Sequence, residues 1–360
     1  MRRMFVALVA VVLSMVFPQA ILAQGEATGL FLIINPGARQ GGMGEAGVAL
    51  ANDVNAIYWN PAGLAFQYDD PQHQSRGEAT IMHVDWLPQF NLSDLYYDFA
   101  AARYYLEGIG NVGFSIQFMN YGSITVTGEK DPTPIGEFTS NEMAFTGSYG
   151  VKVKDNLGVG VNLKFVYSRL SPLEGVAAEK GKGIGSTFAL DLGVLYHPGF
   201  SKRLSLGLNV SNIGPKITYI DKEQADPIPT NLRLGMAYKL LDSEFNKLTF
   251  VYDVNRLLVP RDEEKRVESF MTYFFSTWGD GSDQFKRLTH SLGLEYWYTN
   301  LIALRSGFFY EDPDYGGRKF WTFGGGVYIS FFGVDFSYIL ASVDDHPLAD
   351  TMRFSLLAKF

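Results

Sequence analysis

The chain contains no cysteine. Disulfide scaffolds and thiolate metal centres are therefore excluded. Histidine is scarce: His73, His83, His197, His290 and His346 stand in no triad or metal-ligand spacing. An excess of positive charge is also missing. The formal net charge is −8, which argues against nucleic acid as a partner. Past the first two dozen residues no apolar run reaches eighteen, so no helix is expected to span a bilayer. Gly41-Gly42-Met43-Gly44 matches neither a dinucleotide nor a Walker loop. Asp280, Asp283, Asp312, Asp314, Asp344 and Asp345 read as polar loop residues, and the run 280–283 is too short for an EF-hand. The expectation is a protein with no cofactor, no metal ion and no catalytic centre.

Other features are plentiful. Aromatic residues make up 15% of the chain, and there are 38 glycines. Without helical apolar runs, this composition suits a β-barrel with aromatic girdles and tight turns. The first residues read as an export signal. Arg2 and Arg3 precede the apolar run Met4–Phe17, followed by Pro18 and a small-residue end at Ala23. Cleavage is expected after Ala23, giving a signal peptide over 1–23 and a mature chain from Gln24. An uncleaved anchor is the alternative, but the run is shorter than the ~20 residues a spanning helix needs.

From residue 79 onward the apolar residues alternate with polar or small ones. Val159, Val161, Leu163 and Phe165 share one face; Gly158, Gly160, Asn162 and Lys164 share the other. The last ten residues repeat the pattern, with Met352, Phe354, Leu356, Ala358 and Phe360 opposite Thr351, Arg353, Ser355 and Lys359, and Leu357 as the exception. Such a period of two marks strands with one apolar face. About fourteen are expected, at 79–87, 95–106, 112–127, 142–153, 157–169, 185–197, 204–212, 231–241, 247–256, 288–298, 301–310, 320–330, 332–341 and 351–360. In the second, Asp98 and Arg103 fall on opposite faces, which suggests a bulge.

The connections alternate long and short. Outer-membrane barrels have short periplasmic turns and long outer loops, and a soluble sandwich gives no reason for that parity. The expected fold is an all-β, 14-stranded antiparallel transmembrane β-barrel with outer-membrane lipids around it. Lys164, Asp191, Arg233, Lys239, Glu295, Asp335 and Arg353 lie opposite the apolar rows and are expected to face the lumen. A charge facing lipid at the midplane would cost about 2–4 kcal/mol. The closing strand with its terminal Phe360 resembles the strand that barrel-assembly machinery reads.

A barrel of this width is not filled by its own side chains. It is either a water-filled pore or a plugged one, and residues 24–78 are available as the plug, with the barrel over 79–360. Gly41, Gly42, Gly44, Ala46, Gly47, Ala49 and Ala51 make a small-residue surface that permits close approach. Asn52 and Asp53 are good N-cap types for a helix over Val54–Trp59, and Asn60-Pro61 favours a turn. A generic Gly-rich loop is the plain alternative.

This stretch resembles the PorV/PorQ family, relatives of the FadL-like outer-membrane transporters. The resemblance rests on Gly37-Ala38-Arg39, Gly42-Met43-Gly44, Gly47-Val48-Ala49, Asp53-Val54 and Tyr58-Trp59-Asn60-Pro61-Ala62-Gly63-Leu64. It implies an N-terminal hatch in the barrel lumen. For PorV-like members it implies a role in type IX protein secretion, with secretion components and cargo proteins as partners. For FadL-like members it implies passive uptake of a hydrophobic ligand. The aromatic stretch 269–278 suits either role, or a loop core packed on itself.

Overall fold

The computed structural model describes residues 27–68, 74–90, 92, 94–127, 133–170, 183–219, 225–259, 277, 279, 283–341 and 346–360. The expected signal peptide and nearly all of the aromatic stretch 269–278 lie outside these. Fourteen antiparallel strands close into one barrel. They are β1 Gly77–Asp85, β2 Tyr96–Leu106, β3 Gly110–Thr127, β4 Pro134–Lys154, β5 Leu157–Arg169, β6 Ile184–Tyr196 and β7 Leu204–Ile213. The second half is β8 Asn231–Asp242, β9 Asn246–Leu257, β10 Leu288–Tyr298, β11 Ile302–Tyr310, β12 Lys319–Ile329, β13 Phe332–Ala341 and β14 Met352–Lys359.

Each strand pairs with its sequence neighbours, and β1 pairs with β14 to shut the seam. At the foot of that seam Gly77 and Phe360 exchange both backbone hydrogen bonds, at 2.6 and 2.9 Å. The Phe360 ring stacks on Tyr104 at 6.4 Å. The wall alternates as a barrel must. Leu163, Phe165, Met352, Phe354 and Leu356 are exposed outward, while Gly158, Gly160, Asn162, Lys164, Arg353 and Ser355 are buried. Closure removes the sheet edges, and the outward apolar rows are matched by lipid.

Two local expectations are corrected. The β4 strand starts at Pro134 and not at 142, because Pro134–Ser140 continues the hairpin with β3 beyond a bulge at Tyr121. No bulge interrupts β2: its register is continuous with both β1 and β3, and Asp98 faces outward, paired with His83. Leu357, the odd apolar residue on the polar face of β14, is buried in the interior cluster with Val54 and Ile57. Its side chain fits the inner face because apolar groups from the N-terminal segment meet it there.

Candidate functional site

Residues 30–66 run through the interior of the barrel as short turns. They comprise 3-10 turns at Leu30–Ile33 and Pro61–Phe66 and α-helical turns at Ala38–Gly41 and Ala56–Trp59. Most residues from Phe31 to Leu64 are buried. Its turns bond within themselves, as from Gly41 N to Gly37 O and from Trp59 N to Asn55 O. The buried backbone groups left over must find partners elsewhere, and several find them on the inward faces of the strands.

Arg39 is the centre of one side. Its guanidinium makes a two-pronged bond to Glu295 on β10, both contacts at 2.8 Å. Its Nη1 reaches Asp53 at 2.8 Å and donates to Asn52. Burial by itself lowers the Arg39 pKa, but the Glu295 and Asp53 carboxylates outweigh it and keep the group charged. Glu295 also takes Arg305 Nε of β11 at 2.9 Å, and Arg305 Nη1 pairs with Asp335 of β13 at 2.6 Å. Tyr328 donates its hydroxyl to the other Asp335 oxygen. Nearby, Arg353 of β14 pairs with Glu45 at 2.6 Å, and Asn35 donates to the same carboxylate. Arg233 of β8 donates to the Tyr58 hydroxyl at 2.9 Å and lies over the Tyr58 and Trp59 rings. Burial pushes the Tyr58 hydroxyl pKa up, with Arg233 opposing it. Asp253 of β9 accepts the backbone N–H groups of Gly47 and Val48 at 2.6 and 2.9 Å.

The opposite side carries amides and glycines. Asn60 Nδ2 donates to Val48 O within the segment and to Val194 O on β6, while its Oδ1 accepts Ala62 N. Asn111 of β3 donates to the carbonyls of Leu64 and Gln67, and Asn162 of β5 to that of Ile57. Trp59 Nε1 is satisfied by Pro36 O at 3.1 Å. A Cβ at Gly160 would strike the backbone of Pro61, and one at Gly193 the Asn60 amide oxygen.

The motif glycines do similar work. Gly37 has φ +89° and its N–H points at Met82 Sδ, while Ala38 N–H bonds Ser355 at 2.9 Å. Gly44, at φ +66°, donates to Thr322, and a Cβ there would lie 2.5 Å from Leu292 O. Gly42 approaches the Gly324 backbone, Met43 is fully buried, Gly47 lies against Trp59, and Gly63 leaves no room beside Ala51.

The expected lumen-facing residues divide. Arg233, Glu295 and Arg353 bond the segment directly, and Asp335 reaches it through Arg305 and Glu295. Lys164 and Asp191 pair at 2.8 Å and bind Asn212 on the wall instead. Lys239 is half-exposed near the short-turn end and pairs with Asp242 at 3.0 Å, beyond the β8 register shift. The expected helix over Val54–Trp59 starts at Ala56, with no side-chain cap. Asp53 spends one carboxylate oxygen on Arg39 and Gln40, and the other accepts Asn55 N at 2.9 Å.

Some contributors carried only weak signals. Glu45 and Asn35 sit between unremarkable neighbours, and the inward glycines of the wall read only as the small face of each strand. Gly160, Gly193, Gly235, Gly293 and Gly307 all back onto the segment. A glycine recurring on the lumen face of one strand after another is the signal that marks a packed interior.

The two ends differ. Toward the long loops, Phe309, Phe320, Ile339 and Leu348 pack with Trp86 and Leu87. Thr28 ties to Tyr219, which bonds Ser168. Toward the short turns lies an open vestibule of about 1010 Å³, with Arg203, Lys247, Trp297 and Lys359 among its walls. Among the described residues no cluster of metal-ligating side chains is present.

A family model described as "Type IX secretion system protein PorV" matches residues 23–264. The chain belongs to the PorV family. It is an outer-membrane β-barrel. No curated protein matches it by sequence. Its fold is similar to that of the Pseudomonas putida toluene transporter TodX, at 15% identity over 90% of this chain and 96% of that one, with a TM-score of 0.54. The monoaromatic hydrocarbon channel CymD is similar at 14% identity over 91% and 98%, TM-score 0.53. A Pseudomonas aeruginosa FadL homologue is similar at 15% identity over 93% and 99%, TM-score 0.50. These likenesses concern the fold.

Proposed function

We propose that this PorV-family barrel acts in type IX secretion by receiving cargo proteins at the cell surface as they leave the translocon. Residues 24–78 serve as a hatch and 79–360 as the barrel. Secretion components and cargo meet the end that carries the long loops, and the barrel-assembly machinery recognises the last strand through Phe360. The protein works by binding, without catalysis. The observation that carries this reading is the fastening of the segment on two sides by buried groups. A fixed interior suits a scaffold. An apolar solute crossing the lumen would have to pass buried ions at Arg39, Glu295 and Arg305, whose desolvated partners offer it nothing.

The titles of TodX and CymD name toluene and monoaromatic hydrocarbons, so uptake of hydrophobic molecules is the competing reading. Deleting the gene separates them. Loss of surface display of secreted proteins with normal hydrocarbon uptake supports the secretion role. Normal display with lost uptake overturns it.

A further inference from the structure

The outer wall carries a polar pair where alternation calls for apolar side chains. His83 on β1 and Asp98 on β2 are register partners on the outward face and meet at 2.7 Å. Asp85 lies 3.5 Å from the other ring nitrogen. All three side chains are exposed. Two carboxylates on one imidazole leave the cluster negative whether or not the histidine is protonated.

The next row along the wall is Leu356, Ile81, Ala100 and Ile116, each paired with the next. Ala100 is the one small side chain in it. Around it lies a cavity of about 460 Å³, flanked one row up by Phe354 and Phe118. The ladders on both sides of β1 and β2 run unbroken through these rows, so the groove lies on the wall and does not pierce it. His83 is two residues from the long-loop end of β1. The polar pair therefore stands near the outer edge of the apolar band, where a lipid-facing charge costs far less than at the midplane.

An apolar slot and a negative acceptor cluster thus sit one above the other at the depths of an acyl chain and its headgroup. We propose that this groove binds one acyl chain of an outer-leaflet lipid whose headgroup carries a primary ammonium, with Asp98 and Asp85 accepting from the ammonium. Charge complementarity selects the headgroup. An anionic one is repelled, and a quaternary ammonium brings charge without N–H donors.

The test uses the purified, delipidated full-length barrel in detergent. It is titrated separately with phosphatidylethanolamine, phosphatidylglycerol and phosphatidylcholine, and bound lipid is counted by native mass spectrometry. Phosphatidylethanolamine should bind about tenfold more tightly than phosphatidylglycerol, equivalent to about 1.4 kcal/mol. Asp98→Asn should reduce that preference, and Ala100→Phe should weaken phosphatidylethanolamine binding by filling the slot. Leu234→Phe, on the outward face of β8, should change neither. Heat-modifiable gel migration checks that each variant is a folded barrel; if Ala100→Phe is not, Asp98→Asn decides. Equal binding of the three lipids, or an unchanged preference in Asp98→Asn, overturns the proposal. So does a groove taken by a protein partner, seen as a complex lost in Ala100→Phe without any lipid preference.

Discussion

The two sides of the N-terminal segment are held to the same barrel by different chemistry. Against β10–β14 buried ions are added to the close glycine contacts: Arg39 and Glu45 meet Glu295 and Arg353, with Arg305 and Asp335 behind. Against β3–β6 it is made of amides and bare backbone: Asn60, Asn111 and Asn162 bond carbonyls, and Pro61 rests on Gly160. The difference teaches how each side fails. A buried ion pair is a weak source of net stability, but removing one partner is costly because the other stays charged and dry. A glycine seat has no charge to strand. It fails by volume, since there is no space into which an added carbon can move.

The largest effect is expected on the ionic side. Glu295→Ala takes one of two carboxylates from both Arg39 and Arg305, which keep Asp53 and Asp335. Two buried guanidinium groups each short of an anion should cost about 3–5 kcal/mol, read as a lower unfolding midpoint of the refolded barrel by tryptophan fluorescence. Replacing Arg39 and Glu295 together by apolar residues removes one uncompensated guanidinium but takes the cation from Asp53, so it should recover only part of that loss. If the double variant recovers nothing, the charge on Arg39 is not the main cause.

Next comes the packed side. Gly160→Val pushes a side chain into the Pro61 backbone and should cost about 1–3 kcal/mol. It should also raise protease cleavage at Tyr68, just past the interior segment. A variant as resistant as the parent would mean that the segment slides easily along β5, contrary to a fixed seat.

A smaller loss is expected for Asn60→Ala. It removes the cap on Ala62 N and two donated bonds, worth about 0.5–2 kcal/mol. Fluorescence of the neighbouring Trp59 should report it as a local loosening below the main transition. Lys239→Ala should do least, within about 0.5 kcal/mol, because its pair with Asp242 is solvated and shared with no part of the segment. A large shift there would extend the ionic side down to the short-turn rim.

The sequence by itself determined the barrel. A period of two, repeated through strand after strand, sorts side chains into lipid-facing and inward sets, and loop parity sets the strand number and the ends. Those signals are local, so they survive without any knowledge of neighbours. The dense Gly-Ala-Arg through Asn-Pro-Ala-Gly-Leu stretch likewise showed that a small-residue segment was available to fill the interior. Tertiary structure decided the rest. Arg39 and Glu295 are separated by 256 positions, and no periodicity links them. Asp53 looked like a helix cap until the fold offered it Arg39 and Gln40. Asp98 looked like evidence for a bulge until β1 placed His83 beside it. In each case the deciding term is the cost of leaving a polar group unpartnered, and which partners are within reach is settled only when the barrel closes.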